Sequence, residues 1–107
     1  MDIDGLRMRV VKGGYLVKSH AIQHALKEGF ERRHMVDAVM NGEIIETYPD
    51  EERVLVSGQV FLTEKMKIYL HVVCEFVDPV HVEFVTAYIP DRKFWETPPV
   101  RRRKPRR

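Results

Sequence analysis

Cysteine is almost missing: Cys74 is the only one in 107 residues, so no disulfide forms within the chain. Nothing demands an oxidising compartment, and a reduced cytoplasm is the expected location. No apolar run comes near the ~18 residues that span a bilayer. The start, MDIDGLRMRV, has acidic residues where a signal peptide needs basic ones, and lacks an apolar h-region. A Gly-rich phosphate loop is missing too: Gly13-Gly14 runs into Tyr15, not into a Lys-Ser/Thr pair opening a helix. No repeat or low-complexity segment precedes the C-terminal tail.

What is present is a globular composition, with 44% apolar and 32% charged residues in a length that fits one domain. The net charge of +2 conceals an asymmetry. RRRKPRR, from Arg101 to Arg107, holds six basic residues; without them 12 basic residues face 16 acidic ones, a net of −4 for residues 1–100. Dense like charge repels itself, so residues 99–107 are expected to be a disordered basic tail beyond a single 1–98 domain. Such a tail contacts phosphates without reading sequence. Its deletion is expected to leave the melting temperature almost unchanged.

The apolar period predicts helices first and strands afterwards. Ile3, Leu6, Val10 and Val11 suit a helix over residues 2–12. Ser19 is the expected N-cap of a second helix, with Ala21, Ile22, Ala25 and Leu26 as its stripe and Gly29 as its stop. A third helix covers 32–41. Strands are expected over 43–48, 53–61 (with a bulge at Gly58), 67–77 and 80–89, which makes an α+β domain. A four-residue loop, Asp78 to His81, would place Tyr69, His71, Val73 and Glu75 on one face with Val82, Phe84, Thr86 and Tyr88.

His20 and His24 stand four apart, yet the glutamate of HExxH is missing and further ligands are scattered, so no metal is expected. No cofactor is expected either. Cys74 sits among apolar neighbours in LHVVCEFV and reads as a buried hydrophobe, not a nucleophile. The remaining polar set is His20, Arg53, His71, Thr86 and Tyr88. Imidazoles and phenols move protons, and an arginine grips phosphate with two prongs. Those are the parts that metal-free RNA cleavage needs. His20 and His71 are expected within one bridging water of each other, or in one cleft with Tyr88.

The ordered segments SHAIQHALKEG, NGEIIETYPDEER, VLVSG, LHVV and VTAYIPDRKFWE resemble an uncharacterised prokaryotic family of small domains grouped with RelE-like and BrnT-like toxins, over residues 2–96. The resemblance implies a RelE-like fold, with N-terminal helices on an antiparallel sheet of about four strands. It also implies metal-independent endoribonuclease chemistry and a neutralising antitoxin partner. Residues matching the recurring ones include His20, Ala21, Gly42, Tyr48, Pro49, Leu55, Gly58, His71, Thr86, Ala87, Tyr88, Pro90 and Trp95, with Arg53 ahead of a strand ending in glycine. The catalytic set is then His20, His71, Tyr88, Thr86 and Arg53. The RNA-contacting set is His24, Arg92, Lys93, Arg101, Arg102 and Arg103. Two departures stand out: Tyr88 replaces an arginine of BrnT-like toxins, and His24 stands where relatives often have arginine. The alternative is a non-catalytic RNA- or protein-binding domain of the same fold.

Overall fold

The computed structural model describes residues 1–104, so the end of the basic tail, 105–107, lies outside the described residues. Three helices come first: α1 (Ile3–Val11), α2 (Ser19–Glu28) and α3 (Arg32–Asn41). The strands are β1 (Tyr15–Val17), β2 (Glu43–Tyr48), β3 (Arg53–Phe61), β4 (Lys67–Phe76) and β5 (Val82–Tyr88). A 3₁₀ turn, Pro49–Glu51, joins β2 to β3.

Local chemistry accounts for the helix ends. The Asp2 side chain accepts from the Gly5 N–H at 2.8 Å and starts α1. Ser19 is not the cap of α2: Lys18 takes that position, its ammonium offers no acceptor for a side-chain cap bond, and its backbone N–H bonds the Phe84 carbonyl of β5. Gly29, at φ 85°, adopts the left-handed turn that ends α2. Glu31 and His34 cap α3 reciprocally. Arg7 donates to the Val39 and Gly42 carbonyls, which ties α1 to the exposed carbonyl end of α3.

The sheet order is β1-β5-β4-β3-β2. It has five strands and is mixed, not an antiparallel sheet of about four. Tyr15–Val17 is long enough for three register pairs with Val82–Phe84 and runs parallel to them. One face carries the helices and the core, where Leu70, Val72, Cys74, Val82, Phe84 and Ala87 are buried against Leu6, Ala21, Met35 and Val39. Gly58 is no bulge, since its pairing with Leu70 is regular. A Cβ there would lie 2.8 Å from Ala38 Cα, so glycine is what lets α3 sit down on β3.

Two bulges reset the alternation. Phe76 pairs with Val82, so the hairpin loop holds five residues and not four, and Glu75 faces Glu83. The register then slips at Val85, and beyond it Thr86 pairs with Val73 and Tyr88 with His71. Val82 and Phe84 therefore face the helices while Thr86 and Tyr88 face away. In β2 the register slips at Ile45. Ile44 packs on the core, and Glu46 and Tyr48 turn to the face of His71.

That second face is covered by the C-terminal segment. Trp95 bridges Arg102, Glu96 N–H bonds the Arg101 carbonyl, and Arg103 N–H bonds the Phe94 carbonyl. Residues 94–103 thus close into a strap with buried Trp95 and Pro99 against the sheet. The expectation of a disordered tail from residue 99 is corrected for residues 99–103, which make these contacts, with Arg102 paired to Glu46.

Candidate functional site

Beneath the strap, polar groups from three strands converge. His71 is 0% exposed and pairs in register with Ser57 of β3 and Tyr88 of β5. Its Nε2 lies 2.8 Å from the Pro99 carbonyl. A carbonyl only accepts, so Nε2 carries the proton and Nδ1 is the acceptor. The Tyr88 hydroxyl donates to Nδ1 at 3.3 Å. The Ser57 hydroxyl donates to the same Pro99 oxygen at 3.3 Å. Trp95 meets the His71 ring edge-on, with centroids 4.5 Å apart.

A clasp at the β2 edge completes the cluster. Arg102 grips Glu46 with two bonds, at 2.8 and 3.0 Å, and lies 4.7 Å over the Trp95 ring. Tyr48 donates to the same carboxylate. The Arg102 hydrogen bond holds the Glu46 carboxyl below its usual range, and the carboxylate in turn keeps Arg102 firmly protonated. Burial pushes the Tyr48 phenol up, with Glu46 adding to it. Burial likewise pushes Tyr88 up to about 12. Burial lowers His71, with the Pro99 carbonyl and Glu46 opposing it. At neutral pH the centre is a neutral imidazole beside an un-ionised phenol, a pair able to pass a proton along one hydrogen bond.

Of the expected catalytic set, the structure joins His71 and Tyr88, with Thr86 on the same face two residues away. Arg53 shares that face but sits four residues from Ser57 along β3, ~13 Å at the usual strand rise. It is bound to Glu75 at 2.7 Å and to Glu51 at 3.6 Å. His20 and His24 are elsewhere. Their rings touch each other at 4.7 Å on α2, and His24 Nδ1 meets Glu28 at 3.1 Å. Among the described residues neither makes a hydrogen bond or ring contact with His71. The two-histidine arrangement is therefore corrected: α2 packs its alanines inward and leaves His20 exposed, whereas His71 is sealed under the strap.

The expected RNA-contacting residues also divide. Arg92 and Lys93 are exposed, but the Arg92 carbonyl accepts from Arg103 Nε. Arg102 is committed to Glu46, and Arg101 contributes its carbonyl to the strap. Sequence reading missed Glu46, Tyr48, Ser57, Trp95 and Pro99 as site members. The available signal was Trp95 followed by Thr97-Pro98-Pro99, an aromatic anchor and a stiff turn ahead of a charged run. Among the described residues, no three His, Cys, Asp or Glu side chains gather as a metal site. Cys74 is fully buried, and burial pushes its thiol far up, away from nucleophile behaviour. No described helix is long and apolar enough to cross a membrane.

Fold and site together define a small α+β domain with helices on one sheet face and a strapped polar cluster on the other. Residues 17–89 match the family described as Domain of unknown function (DUF4258), and the chain belongs to that family. The match takes in α2 through β5, and so His71 and Tyr88, and ends before the strap. No curated protein and no solved structure matches the chain.

Proposed function

We propose that this domain is a metal-independent endoribonuclease, related to the RelE-like and BrnT-like toxins and held in check by a partner antitoxin. The observation that carries the reading is the Tyr88–His71 hydrogen bond, with a protonated Nε2 edge facing an acceptor oxygen beside Ser57. With RNA in place of that acceptor, Tyr88 takes the 2′-hydroxyl proton as it passes its own to His71 Nδ1. His71 gives its Nε2 proton to the departing 5′ oxygen. The 2′ oxygen bonds to phosphorus as the P–O5′ bond breaks, and both side chains end neutral. Products are a 2′,3′-cyclic phosphate and a 5′-hydroxyl. Thr86, Arg53 and His20 lie outside this relay; Arg53 and His24 are candidates for contacts farther along an RNA strand.

The test uses full-length protein in excess over a labelled single-stranded RNA, with a chelator present. Cleavage to the named ends is expected. His71→Ala and Tyr88→Phe should each slow it about 100-fold or more, since a positioned acid or base is worth at least that. RNA left intact under excess protein overturns the catalytic reading. The complete burial of His71 then favours the second one, a non-catalytic RNA- or protein-binding domain.

A further inference from the structure

The Pro99 carbonyl accepts from two donors that are themselves buried: His71, 0% exposed, and Ser57, 4% exposed. Both rise from paired positions of adjacent strands. Two donors fixed on a rigid sheet and aimed at one oxygen make an acceptor site whose shape does not depend on its occupant. The occupant, by contrast, sits on a segment held to the sheet by the burial of Trp95 and Pro99 and by few polar bonds, with no strand pairing to the sheet. Backbone hydrogen bonds of the strap run within the segment, between Phe94 and Arg103, Glu96 and Arg101, Val100 and Pro98, or back to Asp91 just before it, and none reaches a strand. Its polar links to the sheet are the Pro99 oxygen and the Arg102–Glu46 clasp. The strap also lies wholly outside the span that matches the family.

We propose that Ser57 and His71 form a binding site for a phosphodiester oxygen of single-stranded RNA, filled here in cis by the Pro99 carbonyl, so that the strap competes with the nucleic acid. This rests on the RNA-directed reading above and adds its regulation. A phosphodiester oxygen carries charge that a carbonyl lacks, so the incoming ligand makes the stronger hydrogen bonds. The Glu46–Arg102 clasp then sets how often the site is open. This inverts the ordinary role of an arginine near RNA: removing a cation should strengthen binding.

The experiment uses the full chain as wild type and Arg102→Ala. The probe is a 2′-O-methyl single-stranded oligonucleotide, which binds but has no 2′-hydroxyl to react. Two quantities are read: oligonucleotide affinity, and the rate of His71 modification by diethyl pyrocarbonate, assigned by mass spectrometry. Arg102→Ala is expected to bind at least threefold more tightly and to modify at His71 at least tenfold faster. Added oligonucleotide should slow that modification again. Arg102→Gln, which keeps hydrogen-bonding capacity, should fall between the two and serves if the alanine variant does not fold. Faster modification with equal or weaker binding overturns the competition, and an unchanged modification rate overturns the cover. Failure of the nuclease reading shows separately, with unmodified RNA in place of the probe, as uncleaved RNA bound to the opened variant.

Discussion

His71 carries opposite demands. Its burial disfavours charge, and the nearby Arg102 cation adds to that, while the Pro99 carbonyl and Glu46 offset them only in part. In the unfolded chain it takes a proton near its ordinary 6.5, and in the folded chain only at lower pH. Unfolding therefore binds protons as pH falls through about 6.5. The stability linked to His71 is complete above that value and is lost as pH drops toward the folded one. Glu46 acts in the same direction lower down: its Arg102 partner depresses it, so its contribution is full above 4.5 and lost below. Thermal melts from pH 8 to pH 4 should show the melting temperature falling in both windows. His71→Asn, which cannot charge, should flatten the upper window and leave the lower one. Equal slopes for the two proteins would contradict the assignment.

The pairing of β3 with β4 is regular throughout, and the irregularities of the sheet fall in β2 and β5. Gly58 shows the first case. Ala38 lies so close that an added Cβ meets backbone, which cannot give way as a side-chain tip does. Gly58→Ala is expected to cost about 2 kcal/mol through overpacking, read by denaturant melts with an unchanged m-value. A loss under 0.5 kcal/mol would mean α3 shifts freely on β3. The slips at Ile45 and Val85 show the second case. Without them, Glu46, Tyr48, Thr86 and Tyr88 would project toward the helices, because alternate residues share a face. Each bulge keeps apolar Ile44 or Phe84 inside and sends the following polar residues out. The hairpin reading joined His71 to Tyr88 correctly in outcome but for the wrong reason: an odd loop and a bulge together restore the pairing that an even loop would have made.

The C-terminal segment changes what truncation means. A chain ending at Val100 loses the Arg102–Glu46 pair and the Arg102–Trp95 contact. Arg102 and Glu46 are 58% and 22% exposed, which limits the pair to under about 1 kcal/mol; the ring contact adds about 0.5–1. Truncation should therefore lower the melting temperature by about 5 °C or more, given roughly 4–8 °C per kcal/mol at this size. This replaces the expectation that the tail is thermally silent, and an unchanged melting temperature would restore it.

Element order, α+β class and the burial of Cys74 were legible in the chain because they depend on local periodicity. Apolar spacing of 3.6 or 2 is written in neighbouring residues, and so are stops such as Gly29. Tyr15-Leu16-Val17 reads as a short extended stretch in the chain, but its place as a fifth, parallel strand was not legible, since three residues carry too little period to assign a partner. Nor was the site. Glu46 meets Arg102 across 56 positions and His71 meets Pro99 across 28. Their encounter depends on two bulges that turn side chains over and on a strap that returns across the sheet. Bulges arise where packing on both faces is satisfied at once, so a choice of face at Tyr48 or Tyr88 is made by distant neighbours and not by adjacent residues.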